Sequence, residues 1–193
     1  VVIGAPWDEN KGSAYVFQRD EDSRNTWRQL AKLTPSDGAW SDWFGDSVSI
    51  SGDTVVVGAW GNDGQGAAYL FEKPESGWTD MIEIVKLTAS DGVLQDIFGD
   101  CVSISGDTVV IGAVWDDDNG PDSGSVYIFE RDEGGPGDWG EAAKLTASDG
   151  AQVDLFGESV SISGDTVVVG AAGDDANAED SGSAYVFERD AGG

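Results

Sequence analysis

The sequence has no histidine, a single cysteine (Cys101) and a single methionine, and its 193 residues carry only 10 Lys plus Arg against 37 Asp plus Glu. Without histidine there is no Ser-His-Asp or Cys-His nucleophile, no imidazole general base and no histidine-ligated zinc. One cysteine cannot close an internal disulfide, and a lone thiol does not report on redox compartment. A net charge of −27 repels phosphate backbones and anionic headgroups, which argues against a nucleic-acid or membrane-surface partner. No run approaches the ~18 apolar residues of a membrane-spanning helix, so no membrane insertion is expected. There is also no initiator methionine or signal peptide. The chain opens inside an apolar strand pattern, Val1-Val2-Ile3-Gly4-Ala5-Pro6, as a fragment or a processed product would.

What the chain does have is glycine, 28 residues, about twice the usual ~7%, and with it many tight turns. It also has a period. Phe44-Gly45-Asp46-Ser47-Val48-Ser49-Ile50-Ser51-Gly52-Asp53-Thr54-Val55-Val56-Val57-Gly58-Ala59 returns from Phe98, changed only at Cys101 and Ile111, and from Phe156, changed only at Glu158. Ser13-Ala14-Tyr15-Val16-Phe17 recurs at Ala67 to Phe71, Ser125 to Phe129 and Ser183 to Phe187. Lys32-Leu33-Thr34 recurs at Lys86 and Lys144, each time followed by Ser-Asp-Gly.

Each unit reads as four strands, A to D. In strand A, Val48 and Ile50 alternate with Ser47, Ser49 and Ser51, the period of two of a strand with one buried face. Strand B, Val55 to Ala59, is continuously apolar and so covered on both faces. Gly52-Asp53 is a hairpin turn between them. Strand C is the Tyr-x-Phe block. Strand D starts near a tryptophan (Trp27, Trp78, Trp139), ends at Lys-Leu-Thr and carries the polar side chains of an outer edge. The chain therefore supplies B-C-D, A-B-C-D twice, then A-B-C. The predicted fold is all-β: a β-propeller of four-stranded antiparallel blades with strand A innermost, about 3.5 blades in all. The blades fall at 1–34 (partial), 44–88, 98–146 and 156–189 (partial). The ring is completed by further repeats or by other copies through the incomplete end blades.

Phe-Gly opening strand A and Gly-Ala-Pro closing strand B, literal at Gly4-Ala5-Pro6 and relaxed in later units, resemble the FG-GAP repeats of integrin α-subunit propellers and, more closely, their bacterial and archaeal relatives. The resemblance implies a propeller, commonly of seven blades, on extracellular or cell-surface proteins that bind protein or glycan ligands and calcium. The integrin calcium loop between strands A and B is cut here to Ser51-Gly52-Asp53-Thr54 and its repeats, which cannot supply the six to eight oxygens (roughly) that calcium prefers.

An antiparallel meander places the A-B and C-D turns at one end and the B-C and D-A connections at the other. The B-C loops vary, and function on repeat scaffolds gathers in the loops that differ. In the two long ones, Asp116, Asp117, Asp118, Asn119 and Asp122, and then Asp174, Asp175 and Asp180, offer clustered oxygens suited to Ca2+, against the plainer reading of a solvated acidic loop. Asp37, Asp91 and Asp149, and Asp42, Asp96 and Asp154, recur once per connector and read as turn-capping residues that could add ligands. Trp7, Trp40, Trp60 and Trp115, with Trp43, fall in or beside the same loops without repeating as a set. They are candidates to stack on a sugar or anchor a protein interface, or to shield a seam between blades. Cys101, in place of a strand A serine, reads as a buried small apolar residue. The expected function is a non-catalytic extracellular or cell-surface module for adhesion, protein-protein interaction or surface assembly, with a protein or glycan ligand at this face. A lectin-like carbohydrate-binding propeller and the scaffold domain of a secreted hydrolase are the alternatives.

Overall fold

The structure, a computed structural model, describes residues 1–20, 26–175 and 181–189. Among the described residues, fourteen strands form four antiparallel sheets in sequence order. Unit 1 holds β1 (Val2–Ala5), β2 (Ser13–Arg19) and β3 (Trp27–Leu33). Unit 2 holds β4 (Val48–Ser51), β5 (Thr54–Ala59), β6 (Ala67–Glu72) and β7 (Val85–Leu87). Unit 3 holds β8 (Phe98–Ser105), β9 (Thr108–Ala113), β10 (Ser125–Arg131) and β11 (Trp139–Leu145). Unit 4 holds β12 (Phe156–Ser163), β13 (Thr166–Ala171) and β14 (Ser183–Glu188). The fold is all-β, as the alternating pattern requires, with four-stranded blades of the propeller kind in units 2 and 3.

Within a unit the phenylalanine of Phe-Gly is the hub. Phe98 is buried edge-on against Tyr127 (5.4 Å between ring centroids) and Phe129 (6.1 Å), and Phe44 and Phe156 repeat the trio with Tyr69 and Phe71, and Tyr185 and Phe187. Strand B is fully buried in units 2 and 3, where Val55 to Val57 and Val109 to Ile111 expose nothing.

Between units the serines of strand A have a use that periodicity does not reveal. Those of units 2 and 3 do not face open solvent. Ser47, Ser49 and Ser51 accept the backbone N–H groups of Val102, Ile104 and Gly106 in the next unit (3.0, 3.3 and 3.0 Å). Ser103 and Ser105 accept those of Ile162 and Gly164 (3.2 and 3.1 Å), and Cys101 takes the serine's place toward Val160 through its Sγ (3.3 Å). The thiol is therefore a half-buried rung of this ladder rather than a purely apolar filler, and burial pushes its pKa up, keeping it protonated. Each such bond contributes about 1 kcal/mol net, but an unmet amide in the seam would cost more.

A second seam device is backbone on backbone. Gly58 at the end of β5 lies against the Gly99 carbonyl of the next Phe-Gly pair, and Gly4/Gly45 and Gly112/Gly157 repeat the approach. A third is the serine of Ser-Asp-Gly: Ser36 and Ser90 donate N–H and O–H to Glu83 and Glu141 of the following unit.

Strand D of unit 2 departs from expectation. It covers only Val85–Leu87, and Trp78 precedes it outside any strand. The intervening residues pair with unit 1 instead. Lys32 donates its N–H to Asp80 Oδ1 (2.7 Å), and Met81 exchanges backbone bonds with Lys32 and Thr34 (both 3.2 Å), while Trp78 and Met81 pack on the core shared by units 1 and 2. Trp139 likewise is buried in the core cluster shared by units 2 and 3. The corresponding space between units 3 and 4, lined by Ile128, Ala143, Leu145, Ile162, Val167 and Phe187, is an apolar cavity of about 290 Å3.

Candidate functional site

The B-C loops and D-A connectors meet along one face, where Gly61 N–H bonds Asp42 O (3.1 Å) and Gln95 N–H bonds Gly64 O (2.8 Å). Much of this face repeats and is scaffold. Asp42, Asp96 and Asp154 are buried and close their turns by accepting the N–H groups of Ala39, Val93 and Ala151 (2.7, 2.7 and 2.6 Å). The residues beside them take positive φ in all three connectors, Trp43, Ile97 and Leu155 near +59°, so this strain belongs to the repeat and marks no special site. Asp37, Asp91 and Asp149 accept the hydroxyls of Tyr69, Tyr127 and Tyr185 (2.8, 2.7 and 2.9 Å).

Seven of the ten basic residues occupy two repeating posts. At the A-B turn, Asp53, Asp107 and Asp165 pair with Lys73, Arg131 and Arg189 from the end of strand C (3.0, 2.8 and 3.7 Å). Arg131 and Arg189 also reach back to Glu72 and Glu130 of the preceding unit (2.5 and 2.6 Å). On the ligand face stands the lysine of Lys-Leu-Thr. Lys32 Nζ lies 2.9 Å from Asp8 and 3.2 Å from Glu9, and Lys86 lies 2.7 Å from Asp37 and 3.3 Å from Asp63. Lys144 lies within 2.7–2.9 Å of Asp91, Asp116 and Asp118. Hydrogen bonds from Tyr15 and Lys32 hold the Asp8 carboxyl down to about 2. Burial works against the Lys144 ammonium, but its bonds to Asp118, Asp91, Tyr127 and Asp116 outweigh that and hold its pKa above the ordinary lysine range.

This geometry bears on the residues expected to offer oxygens to calcium. Asp116, 5% exposed, receives the Ser125 and Tyr127 hydroxyls, the Asp118 N–H and Lys144. Asp117 accepts the Asp122 N–H (2.8 Å), and Asn119 turns its side-chain amide to Ala147 O (3.4 Å). Asp174 receives Tyr185 (2.6 Å); Asp175 is exposed; Asp180 lies outside the described residues. The donor set of the long loop is closed around an ammonium, and among the described residues no group of three or more acidic side chains is arranged to hold a metal. It does not fit a resident calcium ion.

The tryptophans do come together. Trp7 meets Trp43 edge-on (4.1 Å), and Trp43 stacks on Trp60 (5.3 Å), whose indole N–H bonds Asp46 (3.2 Å). Trp7 and Trp40, 74% and 77% exposed, flank a cleft of about 160 Å3 with Pro6, Asn10, Ser41 and Trp43 at the seam of units 1 and 2. Trp115 stands apart from this cluster, 44% exposed. Trp43 directly precedes Phe44 at the head of unit 2. It is the one that joins the others.

A ring of one acid per unit follows Phe-Gly at the head of strand A: Asp46, Asp100 and Glu158. Burial, with the charges of Asp46 and Glu158, pushes Asp100 from its ordinary 3.8 up to about 6. A carboxyl with a raised folded pKa contributes stability that is complete below its unfolded value and lost as pH rises through the folded one. Asp100→Asn should therefore raise the melting temperature at pH 7, by roughly 1 kcal/mol of stability, and change little at pH 4. A variant that melts lower than wild type at pH 7 would contradict this reading.

Comparison with family-wide sequence patterns matches the FG-GAP repeat at residues 27–71, 81–129 and 139–187. The chain belongs to the FG-GAP repeat family. The three matches cover most of the chain and coincide with strands D of one unit through C of the next, so the FG-GAP pattern as matched straddles the seams. No curated protein matches the chain. FG-GAP repeats are propeller blades of the kind that serve as protein-interaction modules, consistent with a repeating scaffold that carries one non-repeating cluster. That cluster is the tryptophan cleft.

Proposed function

We propose that the chain is a non-catalytic interaction module working outside the cell or at its surface, in adhesion or surface assembly, and that its ligand docks on the cleft between units 1 and 2. The carrying observation is the pair Trp7 and Trp40, which expose three quarters of their surface across one cleft. The repeat does not require them together: Leu94 and Gln152 stand at the Trp40 position in later units, and Gly61, Trp115 and Gly173 at that of Trp7. Exposed indoles in a pocket are the usual anchors of a protein interface. The carboxylates, by contrast, recur from unit to unit and serve turns, tyrosines and lysines, which supports a binding role over the scaffold of a hydrolase.

Asn10 and Ser41 beside two open indole faces also suit a neutral sugar, whose ring has an apolar face and a polar rim. This is the second reading. Self-association through the outer faces of units 1 and 4 belongs to the same proposal, supported by the exposure of Ile3 (51%) and Val186 (64%) and by the apolar cavity beside unit 4.

The test pairs a neutral-glycan array with a displayed peptide library, each probed with wild type, Trp7→Ala/Trp40→Ala and Trp115→Ala. Loss of two anchors should weaken a retained ligand by about 30-fold or more, while Trp115→Ala should leave it bound. Peptide hits support the leading reading and glycan hits the second; ligands indifferent to the double variant would overturn both.

A further inference from the structure

We propose that the open edge of β14 and the apolar cavity beside it form a docking site for an extended segment of the pattern Trp-x-x-x-x-Lys-Leu from another polypeptide, which adds as a strand and seats its indole in the cavity. The proposal is independent of the tryptophan cleft and of any contact between the outer faces of units 1 and 4.

The lining of the cavity says what fits it. Ile128, Ala143, Leu145, Ile162, Val167 and Phe187 hold the repeat positions of Leu70, Val85, Leu87, Ile104, Val109 and Phe129. Those six belong to, or pack against, the core cluster in which Trp139 is buried. The cavity is thus the Trp139 environment repeated one unit later, yet none of the chain's eight tryptophans lines it. Phe129 is 4% exposed in the first setting, whereas Phe187 is only half-buried in the second. Arg189 also lines the cavity. Its counterpart Arg131 lies 4.9 Å from the centre of the Trp139 ring, and Arg19 lies 5.6 Å from that of Trp27, so a guanidinium stands ready to cover an arriving indole.

The edge sets the register. In both units where a tryptophan opens strand D it stands opposite that arginine, Trp27 opposite Arg19 and Trp139 opposite Arg131. Lys32 and Lys144, which end the same strands with Leu33 and Leu145, stand opposite Tyr15 and Tyr127, and one register shift falls between the two marks in each pair. Unit 4 presents the same marks in Tyr185 and Arg189, and among the described residues β14 pairs only with β13. The Tyr185 hydroxyl donates to Asp149 (2.9 Å) as that of Tyr127 does to Asp91 (2.7 Å), and Lys144 lies 2.8 Å from Asp91. A lysine in the same register therefore comes within reach of Asp149, and the net charge of −27 favours its approach. An exposed strand edge flanked by a side-chain pocket is the general arrangement for strand addition, in which main-chain bonds give affinity and the pocket gives selectivity.

The test uses the 193-residue chain and a fluorescein-labelled peptide copying residues 138–147, in a constant background of roughly 0.1 M NaCl. Fluorescence polarisation should show saturable binding of one peptide per chain. Hydrogen exchange should show added protection in β14 and none in β2, whose partner strand is in place. Trp139→Ala in the peptide should weaken binding about 30-fold, and Lys144→Ala in the peptide about 3-fold, the latter loss fading at high salt. In the chain, Ala143→Phe, which fills the cavity from an exposed position, should fold as wild type does and lose the peptide. Trp7→Ala/Trp40→Ala should bind the peptide as wild type does, which separates this proposal from the cleft reading. No binding up to about 1 mM peptide, equal binding of the Trp139→Ala peptide, or protection gained elsewhere than in β14 would overturn the proposal. So would a chain that dimerises through this edge and excludes the peptide.

Discussion

Gly58→Ala should lower the melting temperature by about 10 °C, while Gly52→Ala, six residues away in the same sheet, should cost no more than a third of that. At Gly58 a β-carbon would fall inside the Gly99 carbonyl oxygen of the next unit. The obstacle is backbone, held by its own ladder and by the Phe-Gly turn, so relief requires the two units to separate. Forcing atoms into a packed contact of this kind costs on the order of 3 kcal/mol, and a chain of this size loses about 2–4 °C per kcal/mol. Gly52 tests the alternative that any glycine in this family matters equally. It sits at φ 57° in the A-B turn with open space around it, so alanine there meets only the intrinsic penalty of a left-handed conformation, about 1 kcal/mol. Thermal melts of the two variants beside wild type decide the matter. Equal losses would mean that the Gly58 approach to Gly99 contributes nothing beyond backbone preference.

This prediction gives the family signature a physical meaning. Phe of Phe-Gly closes the core of its own unit, and Gly of Phe-Gly, together with Gly of Gly-Ala in the unit before, lets two backbones touch. The third letter, proline at Pro6, lines the tryptophan cleft and is replaced by Trp60, Val114 and Ala172 elsewhere, so it is free to vary with the ligand face.

The strand count, the order A-B-C-D and the burial of strand B could all be read from the sequence, because each depends on periods of two and on turn residues that act locally. What could not be read is where alternating residues point once a second unit is present. Ser47, Ser49 and Ser51 have the pattern of a wet face and the role of a seam, since a hydroxyl that bonds a neighbouring amide looks the same in sequence as one that bonds water. Trp78 misled for a similar reason: it opens a block that ends in Lys-Leu-Thr like the other two, but residues 80–83 pair with unit 1 and leave a three-residue strand.

The candidate site was legible in part. Trp7, Trp40 and Trp60 were singled out because they break the repeat, and they gather at one seam. Trp43, their link, belongs to the same set of loop tryptophans. The acidic loop was read without its lysine because Lys144 lies 28 residues from Asp116 and belongs to a strand block that appeared purely structural. A signal was present, though. In a chain with a net charge of −27, a basic residue returning at one position in three units has a partner that the structure requires.

The central claim is that successive units are locked into one body by the strand A ladder, and native-state hydrogen exchange tests it most directly. The amides of Val102, Ile104 and Gly106, and of Val160, Ile162 and Gly164, point away from their own sheets toward side chains of the preceding unit. If the seam is formed in solution, they should exchange at least about a thousandfold more slowly than free peptide, approaching the buried amides of β9. Ser47→Ala should release Val102 alone among the first three. Ladder amides that exchange at free-peptide rates while β9 stays protected would show four sheets that fold without locking together, and would contradict the account.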